Sequence, residues 1–308
     1  MKIGFHLPQV GPLATRDNMW AAAQAVEEAG FDSVWVSEHI VIPRKQVTPY
    51  AGTASGEFPL PPDTPFLEPL STLLFVAGCT ERVRLGTSVC ILPWRNPVIT
   101  AKALATLDVL SNGRLIFGVG AGWWAEQFAM LGVPFEHRGS RLSEYIRLVK
   151  ALWTEQNPSF RGRFWQIEDV GFSPKPVQKP HPPIWIGGDG DAAFRRVGRL
   201  GDAWHAVYNK PEQLADKYAR IQAYAREAGR DPNSVGMTVR TSAPTDTPQA
   251  IDRLKAYPEA GVSHVALELW ANSMDDFRAV VERYAREVRP EVGASEHRGP
   301  ARPSTSSG

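Results

Sequence analysis

Two cysteines, Cys79 and Cys90, are all that the 308 residues contain. That is too few for a disulfide framework or a closed zinc site, and it points to a reducing cytoplasm. An excess of one charge is missing as well. Lys and Arg number 34 against 33 Asp and Glu, a net +1 that leaves no electrostatic footprint for nucleic acid or an anionic membrane surface. No apolar stretch approaches the ~20 residues of a membrane span. The N-terminal run MKIGFHLPQV is too short for a signal peptide. The seven histidines form no H-x-H or H-E-x-x-H pattern, and there is no G-x-S-x-G elbow and no P-loop. A metal hydrolase, an elbow-type serine hydrolase and a P-loop NTPase are therefore disfavoured. With 43% hydrophobic and 22% charged residues the chain has the composition of an ordinary globular protein, expected to be soluble and without a metal.

What the chain does have is alternation. Short β-branched and aromatic runs predict strands at Lys2–Leu7, Ser33–Ser37, Val83–Val89, Leu115–Val119, Ile184–Ile186, Ala203–Val207, Val235–Arg240 and Ser263–Leu269. Helical stripes follow each of them. Met19, Ala22, Ala23, Val26 and Ala29 share one face, and Gly30 stands in the C′ position. Pro69–Thr80 reads as the second helix. Asn96 and Pro97 form an N-cap and N1 pair before Ile99, Leu104, Leu107 and Leu110. Later stripes run through Leu142–Trp153, Ala192–Leu200, Pro211–Ala228, Pro248–Ala260 and Phe277–Val288. Strict βα alternation with apolar strands implies a parallel sheet covered by helices. Eight units suit a (β/α)8 TIM barrel, an α/β fold, over residues 1–290, with insertions after strand two (40–66) and before strand five (157–183). Each insertion holds six prolines and no Gly/Ser run, which reads as ordered chain. An open, doubly wound sheet shows the same alternation, and strand count alone does not separate the two. Residues 291–308 lack aromatic side chains and end PSTSSG, the composition of a disordered tail.

In a barrel, chemistry gathers where strands end. Strand two ends Ser37-Glu38-His39, strand three Ser88-Val89-Cys90, strand four Gly118-Val-Gly120-Ala-Gly122-Trp123-Trp124, and strand five Gly187-Gly188-Asp189-Gly190 directly before a helix. Glycines at a strand-to-helix turn allow close backbone approach, and the free N–H groups of the helix attract an anion. The last turn thus suits a phosphate, with a plain tight turn as the alternative. The glycines from 118 to 122 suit a loop lying flat on a planar ligand, or a packing turn. His39 beside Glu38 suits a general acid or a donor to a cofactor carbonyl, or a structural histidine. Of ten tryptophans, Trp94, Trp123 and Trp124 fall in loops at this face and suggest an apolar pocket.

These segments together resemble one family. AGFDSVWVSEH (29–39), RVRLGTSVCILPWRNP (82–97), LSNGRLIFGVGAGWWAEQF (110–128) and PPIWIGGDGDAAFRRVGRLGDAW (182–204) are similar to the luciferase-like flavin and deazaflavin oxidoreductases, in the branch that depends on coenzyme F420. The resemblance runs from Lys2 to about Arg289 and implies a (β/α)8 barrel, usually dimeric. It implies that His39 contacts the deazaflavin ring, that Glu38 stands where the branch often has Asp, and that a non-prolyl cis peptide joins Ser88 and Val89 behind the ring. It places Gly120, Ala121 and Gly122 beside the ring and ribityl chain, and Gly188, Asp189 and Gly190 at the phosphate. Trp123 stands where sugar-phosphate and alcohol dehydrogenases of the branch carry a glutamate proton donor. With Trp94 and Tyr50 it implies a mostly apolar substrate pocket, unless Arg44, Lys45 or Arg95 points inward. The implied activity is hydride transfer between F420 and a small, uncharged molecule. The alternatives are an FMN-dependent monooxygenase of the same superfamily and a non-catalytic cofactor-binding relative.

Overall fold

The computed structural model describes residues 1–293. Eight parallel strands form the inner wall: β1 (Lys2–His6), β2 (Ser33–Val36), β3 (Arg84–Thr87), β4 (Leu115–Gly120), β5 (Ile184–Gly187), β6 (Ala203–Val207), β7 (Gly236–Ser242) and β8 (His264–Glu268). They are hydrogen-bonded in the order β3-β2-β1-β8-β7-β6-β5-β4, and β3 also pairs with β4 through Leu85↔Leu115 and Gly86↔Ile116. That last pairing closes the barrel and excludes an open sheet.

Nine helices are described: α1 (Arg16–Glu28), α2 (Pro69–Ala77), α3 (Pro97–Leu110), α4 (Ala125–Met130), α5 (Arg138–Thr154), α6 (Asp191–Leu200), α7 (Leu214–Glu227), α8 (Thr247–Glu259) and α9 (Met274–Arg283). Local chemistry explains several boundaries. Thr15 caps α1 by accepting from the Asn18 N–H, and Asn96 caps α3 by accepting from Val98 and Ile99 at 3.0 Å each. Gly30 ends α1 with φ +79°, a left-handed conformation that glycine adopts without cost. The second helix stops at Ala77, short of the expected Thr80, whose hydroxyl bonds back to the Val76 carbonyl. Strand three is also shorter than expected. It breaks at a cis Ser88–Val89 peptide and resumes only as Cys90–Ile91 beside β4.

The barrel interior is aromatic and polar together. Trp35 stacks on Trp185 (5.2 Å between centroids) and His205 (5.4 Å). Gly86 makes the room, since a Cβ there would lie 2.2 Å from the Trp35 ring. Trp35 Nε1 donates to Ser33 Oγ (2.7 Å), which also hydrogen-bonds with His264 Nε2 (2.7 Å). Thr238 Oγ1 donates to the Trp204 carbonyl (3.2 Å) and accepts from His205 Nδ1 (2.8 Å), leaving His205 Nε2 to accept from Ser88 Oγ (2.8 Å). Both imidazoles are held neutral.

Both insertions are ordered by buried or anchoring carboxylates. Glu126 accepts from the Val47 N–H, the Thr48 N–H (2.9 Å) and the Thr48 hydroxyl (2.5 Å), which fixes residues 40–66 to α4. Glu144 accepts the N–H groups of Arg163, Phe164 and Trp165 at 2.7–2.8 Å, shaping a hairpin of Phe160–Arg161 with Gln166–Ile167. No helix among the described residues is long and apolar enough to cross a membrane. The expected tail lies, from residue 294 onward, outside the described residues.

Candidate active site

A cavity of about 490 Å³ opens among the C-terminal strand ends. Its wall brings together His39, Glu38, Ser88, Val89, Gly122, Trp94, Trp123 and Tyr50, residues drawn from three strand ends and the first insertion. Aromatic rings form much of that wall. Trp123 stacks on Trp124 at 4.7 Å and meets Tyr50 at 5.0 Å, while Phe58 reaches Trp124 at 4.9 Å and His39 at 4.6 Å.

His39 is the polar group the rings surround. Its Nδ1 lies 2.9 Å from the Gln127 side-chain amide nitrogen. Burial in this apolar setting lowers its pKa to about 4, so the ring is neutral near pH 7.

Glu38, a candidate catalytic residue beside His39, is held by internal partners. Its side chain is 0% exposed. One oxygen accepts from the Ile91 N–H and the other from Arg95 Nε at 2.7 Å and Arg95 Nη2. Arg95 also reaches Glu68 at 2.6 Å, so it anchors α2 and strand two and is no clamp for substrate. Arg44 pairs at the surface with Asp63, and Lys45 is exposed. The reason is electrostatic: a carboxylate that loses its water at the root of an insertion must be matched by a cation.

The glycines divide. Gly120 and Ala121 do not border the cavity. A Cβ on Gly120 would lie 2.7 Å from Val89, so this glycine makes space for the bulge. Gly122, at φ +78°, borders the cavity and packs on Phe128 and Ile91. Gly188, Asp189 and Gly190 lie apart from the cavity at the exposed start of α6. Gly188 takes φ +121°, Gly190 faces open space, and Asp189 binds Lys217 at 2.6 Å. Backbone N–H groups at that helix start remain a surface an anion can approach.

Residues not singled out in the sequence complete the wall. Arg240 donates to the Ser88 carbonyl at 2.7 Å and to Glu268 at 2.7 Å, and Tyr208 donates to the other Glu268 oxygen. Burial works against the Arg240 charge, but Glu268 together with Tyr208 and Tyr50 raises its pKa overall, while burial also pushes the Tyr208 hydroxyl up. Arg240 and Glu268 sit at the ends of strands seven and eight, where a charge in an apolar run was the legible signal. Gln127, inside the short α4, gave none. Among the described residues no cluster of His, Cys, Asp or Glu could hold a metal ion.

The strand ends thus frame an aromatic cavity at the C-terminal mouth of a closed parallel barrel. The chain belongs to the luciferase-like monooxygenase family, whose model matches residues 3–304. An uncharacterised protein of Mycobacterium tuberculosis is 32% identical over 271 residues, covering 87% of this chain and 93% of its own. An F420-dependent glucose-6-phosphate dehydrogenase of Amycolatopsis mediterranei is 34% identical over 70% of this chain and 60% of its own. An FMNH2-dependent dimethylsulfone monooxygenase of Pseudomonas putida is 36% identical over 49% of this chain and 42% of its own. Among solved structures, an F420-dependent secondary alcohol dehydrogenase in complex with an F420-acetone adduct superposes with a TM-score of 0.77 at 19% identity, covering 95% of this chain and 99% of its own.

Proposed function

We propose that this protein is an oxidoreductase that uses coenzyme F420 to move a hydride to or from a small, uncharged organic molecule. One arrangement carries the reading: a neutral imidazole donor beside the Ser88–Val89 bulge, ringed by aromatic side chains in a cavity of about 490 Å³. That donor set fits a flat, carbonyl-bearing ring, to which His39 would donate while Ser88 and Val89 back it and the Gly188–Gly190 turn receives its phosphate. Bound F420 would supply a hydride at the carbon that replaces the flavin nitrogen, whereas FMN at the same place would favour oxygen activation. F420 is preferred because the F420-dependent relative matches 70% of the chain against 49% for the FMNH2-dependent one.

Titration of the purified protein with F420 and FMN tests this. F420 is expected to bind more tightly by about ten-fold or more, and Gly188→Val to lose that binding with the barrel still folded, since its branches would block close backbone approach at this exposed turn. Tighter FMN binding would turn the site over to the monooxygenase reading. Tight F420 binding with no turnover on any substrate would favour a non-catalytic relative.

The substrate class follows from charge. Arg240 is the cation on the cavity wall, and Glu268 neutralises it. A phosphate dianion entering this site would lose its water without a matching charge, at a heavy cost. Trp123 instead offers an apolar face. Neutral enones and ketones are therefore expected to oxidise reduced F420 in the presence of the protein, and sugar phosphates are expected not to reduce F420. Turnover confined to sugar phosphates would defeat this assignment.

A further inference from the structure

We infer that Gln127 is a positioning residue: pinned by the Val41 carbonyl, its amide fixes His39 as the Nε2–H tautomer and turns the ring's one proton toward the cavity. A neutral imidazole has one donor and one acceptor nitrogen, and the partner of one decides the other. Gln127 is fully buried, and its amide nitrogen lies 2.5 Å from the Val41 carbonyl oxygen as well as 2.9 Å from His39 Nδ1. A carbonyl only accepts. If the amide were turned over, its oxygen would face the Val41 oxygen, two acceptors in contact with no proton between them. The nitrogen therefore stays on this side and donates one hydrogen to Val41 and the other to His39. Nδ1 must accept, and the proton sits on Nε2.

The surroundings leave this bond unopposed. The rings packed on His39 belong to Phe58, Phe66, Trp123 and Trp124, whose contacts are ring against ring. The Gln127 frame is itself held from both sides. Its neighbour Glu126 grips Val47 and Thr48 of the insertion, and Gln127 grips Val41 near the root of the same insertion. Two consecutive residues of α4 thus set where His39 stands and which way its proton points. The tautomer is independent of any cofactor. That its proton meets a cofactor carbonyl rests on the proposed function, and the opposite tautomer would present a lone pair there and repel that oxygen.

The test is a two-bond 15N–1H correlation spectrum of the histidine-labelled protein near pH 7.5, with the His39 pattern assigned by its loss in His39→Asn. The wild type is expected to show the Nε2–H pattern. In Gln127→Glu the buried carboxyl keeps its proton and gives it to Val41, so the other oxygen accepts from Nδ1–H and the pattern is expected to invert. Affinity for F420, or for FMN, is expected to fall about ten-fold in that variant, the worth of one buried hydrogen bond. Gln127→Met, which offers neither donor nor acceptor, is expected to give a mixture and serves if the glutamate variant does not fold. A wild-type His39 protonated on Nδ1, or a pattern unmoved by both substitutions, overturns the inference. Failure of the wild type to bind either cofactor, with its spectrum as expected, would overturn the proposed function and leave the tautomer assignment standing.

Discussion

Replacing Arg95 with alanine is expected to destabilise the protein by about 3–5 kcal/mol, the usual cost of leaving one member of a buried ion pair alone. Glu38 has no exposed side-chain surface and would keep only neutral partners, the Ile91 N–H and the Cys90 thiol. Glu68 would lose the same guanidinium, although its other oxygen still caps α2 through the Ser71 N–H at 2.7 Å. Urea unfolding of Arg95→Ala measures the loss. The double variant Glu38→Met with Arg95→Met should recover most of it, because a buried pair replaced by apolar groups of similar volume is near neutral. A single-variant loss under about 1 kcal/mol would show that the pair is dispensable.

Stability is also expected to fall steeply between pH 6.5 and 5. Burial lowers the pKa of His205 to about 3 and of His39 to about 4, and lowers those of His6 and His264 well below the ordinary value. A histidine whose folded pKa is depressed takes up its proton more readily in the unfolded chain. Its contribution is complete above about pH 6.5 and is lost as pH drops toward the folded value. Each such group adds a limiting slope of about 1.4 kcal/mol per pH unit. The chain has a structural reason to resist protonation: His205 accepts the Ser88 hydroxyl proton on Nε2, and a charged imidazole cannot accept. The buried or bonded carboxylates Glu27, Glu68 and Glu126 have lowered pKa values, so their losses begin only in stronger acid. Urea unfolding at pH 7.5, 6.0 and 5.0 separates the two classes, and a flat profile across that window would refute the histidine account.

The legible part of this protein is the part set by local rules. Short apolar, β-branched runs and helical stripes located the eight strands and their covering helices, since a strand buried on both faces and a helix buried on one each leave a local pattern in the sequence. Caps such as Asn96 with Pro97 and the left-handed Gly30 were readable because their requirements are satisfied within a few residues. Glycine-rich strand ends and His39 were visible as anomalies at the mouth of a barrel.

Closure, pairing and protonation were decided by tertiary structure alone. The β3–β4 contact that shuts the barrel depends on register across the whole sheet. Glu38 looked like an acid beside a histidine until Arg95, 57 residues away, was brought against it. That Gly120 makes room for Val89 was set by the packing of two strands, not by its neighbours in sequence. Arg240 and Glu268 entered the site because strands seven and eight end at the same rim as strand two. The proton on His39 depends on an amide 88 residues distant, itself oriented by a backbone carbonyl. Sequence patterning reports which side of an element is dry, because that repeats with the element's own period. Which charge meets which, and where a proton rests, depends on contacts between distant segments that leave no period behind.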